Sequence, residues 1–262
     1  MPRILVCYKW VLDEQDIKIV SLGLSLDVSR AKYKISDYDK NAIEEAVRIV
    51  EKNGGSVEAI SFGTSLKQSF KDVLSRGVDK VYAIDSSIAE NADAYVTANV
   101  LAAAIRKIGP YDLILCADGS SDVYNQQIGS RLSALLGLPG ITSVSQINCE
   151  GDRISATRKL GDCTEVVHIK GQAVISVLPE INSVRIPTMK QVLAAAKKPS
   201  EEIKIDALGL SDAELLPKVT KVSVKGFVMN RKNIVFKDAN QKDNVSKLVA
   251  SLAKEGLLKE RG

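Results

Sequence analysis

The stretch from Tyr111 to Leu136, YDLILCADGSSDVYNQQIGSRLSALL, decides the fold. Tyr111 to Ala117 is a nearly unbroken apolar run, the pattern of a strand covered on both faces in a parallel sheet. A polar loop follows. Val123 to Leu136 then reads as a helix, stopped by Gly137 and Pro139. The same alternation runs back to the start of the chain. Arg3 to Lys9 (RILVCYK) is a strand, and Asp16 to Lys34 is a polar hairpin excursion turning at Leu22-Gly23. Ser36 to Asn53 is a helix with Ala42, Ile43, Ala46, Val47, Ile49 and Val50 on its apolar face and Glu44, Glu45, Arg48 and Lys52 outside. Ser36, Asp37 or Asp39 can cap its start, and Gly54-Gly55 ends it. Ser56 to Gly63 with Ser65 to Arg76, and Lys80 to Asp85 with Ala92 to Ile108, give two more strand–helix units. Four such units imply right-handed crossovers and an α/β fold, Rossmann-like, with a mostly parallel sheet.

Past Ile141 the texture changes. SVSQINC and RISATRK flank the turn Glu150-Gly151-Asp152 as an antiparallel hairpin, and EVVHIK and AVISVL follow as strands. The parallel core therefore gains an antiparallel extension. Pro179, Asn182 and Pro187 then break regular structure. A helix restarts at Thr188, which has capping-box spacing to Gln191. Ile186 and Met189 fall at the tip of this excursion, flanked by Arg185, Lys190, Lys197 and Lys198. Apolar side chains on a protruding, basic-rimmed loop suit a surface that a partner covers. The alternative is a crossover loop whose Ile and Met tuck back into the core. Ile203 to Leu210 is a short element, and Ser211 to Asn230 is mixed. Gln241 to Glu255 is an amphipathic helix with Val245, Leu248, Val249 and Leu252 on one side, which either packs back or reaches to a partner.

With 262 residues, 45% of them hydrophobic, the chain has enough apolar surface for a sizeable buried core. A net charge of +4 is too small and too dispersed for a nucleic-acid binder. No apolar run reaches the ~18 residues that a membrane span needs. The start, MPRILVCYKW, reads as a first strand and not as a signal peptide. Cys7, Cys116, Cys149 and Cys163 show no CxxC spacing, as expected of reduced thiols in the cytoplasm. The single histidine, His168, lies on an alternating strand, which excludes His-rich metal sites. No acid, base and nucleophile set marks a hydrolase.

In an open parallel sheet, ligands bind at the carboxyl ends of the strands, near a topological switch point. Those ends carry Cys7-Tyr8-Lys9-Trp10, Gly63-Thr64-Ser65 and the long loop from Asp118 to Gly129. In that loop Gly119, Ser120 and Ser121 lie ahead of a helix whose free amides suit an anion such as phosphate. Gly129 leaves room for close backbone approach. The loop is neither a Walker A sequence nor a GxGxxG, and the alternative is a Ser/Asp-rich segment that simply caps its helix through Asp122. Asp118 and Asp122 weigh against phosphate lying directly on their carboxylates.

Four pieces, in order, carry a family likeness: RILVCYK, SDYDKNAIEEAVRIVEKNGG, DVYNQQIGSRLSALLGLP and RKLGDCTEVVHIKGQAVISVLPEINSVRIPTMKQVLAAAKKP. Over nearly its whole length the chain resembles the beta subunit of electron transfer flavoprotein. The resemblance implies a heterodimer with an alpha subunit that carries an electron-transferring FAD. It also implies an adenine nucleotide in this chain's own cleft, either structural AMP or, in electron-bifurcating members, a second FAD. FAD is expected ahead of AMP on family likeness. By position the cleft would use Cys7, Ser36, Asp37, Tyr38, Asp39, Phe62, Ala117, Asp118, Gly119, Ser120, Ser121, Asp122, Val123, Tyr124, Asn125, Gln126, Gln127, Ile128 and Gly129. The excursion from Val177 to Pro199 would recognise a flavin-dependent dehydrogenase or reductase, with Met189 as the apolar anchor, Ile186 as a further partner-recognition residue and Arg185 and Lys190 as rim. The implied division is a nucleotide-binding α/β domain over 1–199 and an arm over 200–262 that contacts the alpha subunit. The chain departs from relatives at Ala117-Asp118-Gly119, where many have Gly-Lys-Gln. It departs again at Asn125 to Gly129, where bifurcating relatives often have Thr-Ala-Gln-Val-Gly.

Overall fold

The computed structural model describes residues 1–20, 23–227, 229 and 231–258. The chain begins with β1 (Arg3–Cys7), β2 (Trp10–Leu12), β3 (Lys18–Val20), β4 (Ser25–Asp27), β5 (Tyr33–Ile35) and α1 (Asp37–Asn53). The crossover units continue with β6 (Ser56–Gly63), α2 (Phe70–Ser75), β7 (Lys80–Asp85), α3 (Ala94–Ile108), β8 (Leu113–Ala117) and α4 (Ile128–Leu136). The extension follows as β9 (Gly140–Glu150), β10 (Arg153–Lys159), β11 (Thr164–Lys170) and β12 (Ala173–Val177). Last come α5 (Met189–Ala195), β13 (Ser200–Glu202), α6 (Asp212–Leu215) and α7 (Gln241–Lys254).

One sheet runs β11-β10-β9-β12-β8-β1-β6-β7-β13. From β9 to β13 every neighbouring pair is parallel, and β10 and β11 add antiparallel edges. The all-apolar β8 is buried at every position, with Leu113, Ile114 and Leu115 at 1% exposure or less. Each such side chain stabilises the fold by about 1.5–3 kcal/mol. Helices α1, α2 and α5 pack on one face and α3 and α4 on the other. The chain winds outward from β1 to β6 and β7, then crosses to β8 on the opposite side of β1. The strand order therefore reverses between β1 and β8, and the crevice at their carboxyl ends is the switch point.

Several boundaries differ from the sequence pattern. Helix α4 starts at Ile128 and not at Val123, because Tyr124 and Gln126 sit in the left-handed region at φ 44 and 55. The segment expected as one helix from Ser65 opens as a 3-10 turn, Leu66–Ser69, after Ser65 at φ 57, and α2 begins only at Phe70. The Asp85 carboxylate takes the amides of Ser65 and Leu66 at 3.2 and 2.8 Å and holds that tight start. The polar excursion contains the β3–β4 hairpin, whose turn residue Leu22 lies outside the described residues. It is closed at its base by a second ribbon, β2 with β5, that alternation alone did not reveal. Glu44 and Glu45, placed outside by the helical pattern, are buried at 4% and 8% exposure, because the excursion after β12 lies over them.

At the far edge β13 pairs with β7, and Ile203, Ile205 and Leu208 pack beneath it. The amides of Lys218 and Val219 donate to Asp93 Oδ2 at 2.7 and 3.0 Å. Asp93 thus caps α3 through one oxygen and holds the departing chain with the other. Farther on, Val222 and Phe227 are exposed, and α7 turns Val245, Leu248 and Val249 to solvent.

Candidate functional site

The switch point is floored by Cys7 at the end of β1 and by Cys116 and Ala117 at the end of β8, all buried. Hydrogen bonding to Cys7, together with burial, pushes the Cys116 thiol well up. Phe62, ending β6, packs in the same apolar cluster as Cys7 and Cys116. The first turn of α1 forms one wall. Ser36 makes no side-chain cap to its own helix. Its Oγ instead accepts the amide of Ser121 at 3.2 Å. Asp39 accepts the Lys9 amide at 2.8 Å. Asp37 turns away to Lys34 at 2.9 Å and Lys40 at 2.6 Å. The Tyr38 ring meets that of Tyr124 with centroids 5.1 Å apart, tilted by 58°.

The other wall is the loop between β8 and α4. Asp118 donates its amide to Val177 O at 2.9 Å, and its carboxylate accepts Gln126 Nε2 at 2.5 Å. Gly119 lies against the Tyr124 ring, where a Cβ would come within 2.6 Å of a ring carbon. Asp122 does not cap α4. It takes Lys9 Nζ and Ser120 Oγ, each at 2.5 Å. Burial works to raise the Asp122 carboxyl, but the Lys9 ammonium and the Ser120 hydroxyl hold it below the usual carboxylate range. Both loop carboxylates are therefore already partnered, one by an amide and one by a cation. Val123, Tyr124, Asn125, Gln126 and Gln127 are exposed, whereas Ile128 packs partly into the core. Gly129 is buried, and a Cβ there would fall 2.0 Å from Ser176 Oγ on β12. Its smallness thus serves helix–sheet packing, not the approach of a ligand to the backbone.

Three observations suit this crevice to a phosphate-bearing ligand. Ser121 Oγ is buried without a hydrogen-bond partner. Such an orphan is costly unless something meets it. Gln127 at the N-cap of α4 makes no side-chain bond to the first turn, so those amides keep their donor capacity. Tyr124 and Gln126 hold left-handed backbones that cost about 1–3 kcal/mol each and cluster at ligand clamps. The other strand-end loop, Gly63-Thr64-Ser65, offers less, since Asp85 has already taken the amides of Ser65 and of Leu66 after it.

Burial pushes the Asp39 carboxyl up to about 7, against the Lys9 amide and the Ser36 hydroxyl that pull it down. The folded protein then holds a proton that the unfolded chain releases near the ordinary 3.8. Stability from this group falls as pH rises from ~4 to ~7, and the penalty is complete above that. Asp39→Asn keeps an acceptor for the Lys9 amide. It is expected to change stability little at pH 4 and to raise it at pH 8 by as much as about 4 kcal/mol. Urea midpoints at the two pH values test this, and equal gains at both would refute it.

On the adjoining strand β12 the excursion begins. It is stapled to α1: Asn41 Nδ2 donates to Pro179 O and Asn182 O, each at 2.9 Å, and Asn182 Nδ2 donates to Glu45 Oε2 at 2.9 Å. Both bonds of the Thr188–Gln191 capping box are present. Ile186, Met189 and Leu193 are 89%, 74% and 67% exposed, so the tip does not tuck into the core. Lys190 is exposed beside them. The expected basic rim is otherwise smaller than the sequence implied. Arg185 pairs back onto Glu44 at 2.7 Å and Glu51 at 3.1 Å. Lys198 Nζ caps the end of α2 through Leu74 O and Val78 O at 3.1 and 2.6 Å. Sequence reasoning missed Lys9, Asn41, Glu44 and Glu45 as functional candidates. Glu44 and Arg48 stand four apart on the polar side of α1, where spacing alone indicates no more than a local ion pair.

A family model described as the electron transfer flavoprotein domain matches residues 23–208. The chain belongs to the electron transfer flavoprotein family. The match takes in both walls of the crevice and the whole excursion, while β1 and the segment beyond Leu208 fall outside it. Electron transfer flavoproteins pass electrons through a bound flavin and need no acid–base machinery of their own. Among the described residues no three His, Cys, Asp or Glu side chains converge to hold a metal ion. Nor is any described helix of this electron transfer flavoprotein long and apolar enough to cross a membrane.

Proposed function

We propose that the chain is the beta subunit of a heterodimeric electron transfer flavoprotein and binds an adenine nucleotide, FAD ahead of AMP, at the β1–β8 switch point. The observation that carries this reading is the orphaned Ser121 hydroxyl, in the loop that leads from β8 to the uncapped start of α4. In this reading the first-turn amides of α4 and Ser121 hold phosphate, while Lys9 neutralises Asp122 so that its carboxylate does not repel the ligand. Ser36 and Asp39 fix the loop and the Lys9 backbone, so the donors are positioned before ligand arrives. Bound flavin would supply reversible one- and two-electron chemistry. The buried Cys7, Phe62 and Cys116 keep water from the floor. The alpha subunit, with its own FAD, is taken to cover the exposed apolar residues of the segment beyond Leu216. The Ile186–Met189 tip is taken to dock on a flavin-dependent dehydrogenase or reductase. The four free thiols suit a reducing, cytoplasmic setting.

The test is to coexpress the chain with its alpha partner, denature the purified complex and identify what is released by chromatography and mass spectrometry. About two FAD per heterodimer supports a bifurcating carrier. One FAD with one AMP supports the simple carrier. Release of nothing beyond the alpha subunit's flavin defeats the cleft assignment.

A further inference from the structure

Ile186 is almost fully exposed, and the segment from Asn182 to Pro187 forms no helix or strand. Burial therefore cannot be what fixes the tip. What lies beneath it is polar: Glu44 accepts Arg185 Nε at 2.7 Å and the Arg185 amide at 3.4 Å, and also pairs with Arg48 Nε at 2.8 Å. Arg48 in turn donates through Nη2 to Ser183 O at 2.9 Å. Asn41 and Glu45 grip the segment one turn earlier, at Pro179 and Asn182. Burying two carboxylates under a surface loop is expensive, and apolar side chains would cover it at less cost. Directional, charge-assisted hydrogen bonds offer what apolar contacts do not, a single pose of the backbone.

We propose that Glu44, supported by Asn41, is a positioning residue for partner recognition, holding Arg185 and Arg48 so that Ile186 and Met189 project in one fixed pose. The inference rests on the reading of the excursion as the docking loop. Glu44 touches neither nucleotide nor partner and acts through Arg185 and Arg48. It sits on α1 beyond the first turn that walls the cleft, and its partners Arg48 and Arg185 are not cleft residues, so loss of the grip leaves the cleft contacts in place.

Three heterodimer variants decide it: Glu44→Gln, Asn41→Ala and Met189→Ala, each assayed with a purified flavin-dependent dehydrogenase that reduces the wild-type heterodimer. Glu44→Gln and Asn41→Ala are expected to speed amide exchange over residues 183–189 by about tenfold or more. KM for the heterodimer should rise several-fold, with kcat and bound nucleotide unchanged. Met189→Ala is expected to raise KM with no change in exchange. Wild-type exchange and KM in both clamp variants, beside a raised KM in Met189→Ala, would overturn the positioning role alone. A wild-type KM in Met189→Ala would overturn the docking reading and the recognition role of the clamp with it. Asn41→Ala keeps the test decisive if Glu44→Gln fails to fold.

Discussion

Gly129→Val is expected to destabilise the protein by about 3 kcal/mol and to lower nucleotide occupancy in the purified heterodimer. A Cβ at this position falls 2.0 Å from Ser176 Oγ, 3.3 Å from Ser176 Cβ and 3.9 Å from Cys116 Cβ. The hydroxyl oxygen is the end of a short side chain and can rotate aside, which leaves the 3.3 Å contact to absorb. Gly129→Ala is therefore expected to be mild, with the strain offset by the ~1 kcal/mol that Ala gains over Gly inside a helix. Adding Ser176→Ala removes the clashing atom and should make the alanine variant at least as stable as wild type. Valine has no such escape, because its γ-methyls press on a floor where Cys116 and Ser176 are already buried. The start of α4 must then lift from β12, and the first-turn amides move with it. Thermal melts give the order Val well below Ala, and nucleotide analysis of the same samples gives occupancy. Full stoichiometric nucleotide in a destabilised Gly129→Val protein would show that the start of α4 does not bind it.

The strand–helix alternation was readable because parallel strands buried on both faces are written as continuous apolar runs. RILVC and LILCA could hardly be anything else. The antiparallel extension was readable from its turn, Glu150-Gly151-Asp152, and its alternating flanks. What pattern could not supply was long-range polar contact. Ser36 is one of three residues, with Asp37 and Asp39, that could cap α1, yet its hydroxyl serves the amide of Ser121, 85 residues on. Asp122 reads from its spacing as a possible cap of α4, yet it pairs with Lys9, 113 residues back. Local spacing makes each residue look self-sufficient, and only the folded sheet brings the true partner near. Glu44 and Glu45 mislead for the same reason. Helical periodicity marks which side of α1 faces the sheet, and it carries no information about a loop that returns from β12 to cover the opposite side. The excursion itself was legible in outline, since Pro179 and Pro187 interrupt strand and α-helix, Pro179 opening only a short 3-10 turn, and the Thr188–Gln191 box announces a fresh start. The inward turn of Arg185 was not, because it depends on those two hidden carboxylates.

Met189→Asp is expected to raise KM for the heterodimer by about 30-fold or more in dehydrogenase assays, the loss of an interface hot spot, while stability stays within about 0.5 kcal/mol of wild type. Both parts follow from the position. Met189 is 74% exposed, so removing it opens no cavity. It is also the first residue of α5, directly after the Thr188 cap. An acidic side chain there meets the positive end of the helix and is favoured by ~0.3–1 kcal/mol. The helix, its capping box and the Arg185–Glu44 grip all survive the change. The altered property is what a partner meets: Ile186, Met189 and Leu193 form an apolar knob, and a carboxylate in its middle must be desolvated when a partner's apolar pocket closes over it. The value of kcat should change little, because in the proposed reading electrons pass through bound flavin and not through this side chain. An unchanged KM would mean that the knob serves no docking, however exposed it is. A fall in melting temperature together with the KM change would mean that Met189 is structural. The combination of a stable fold, full nucleotide and failed docking is the outcome that only a recognition anchor gives.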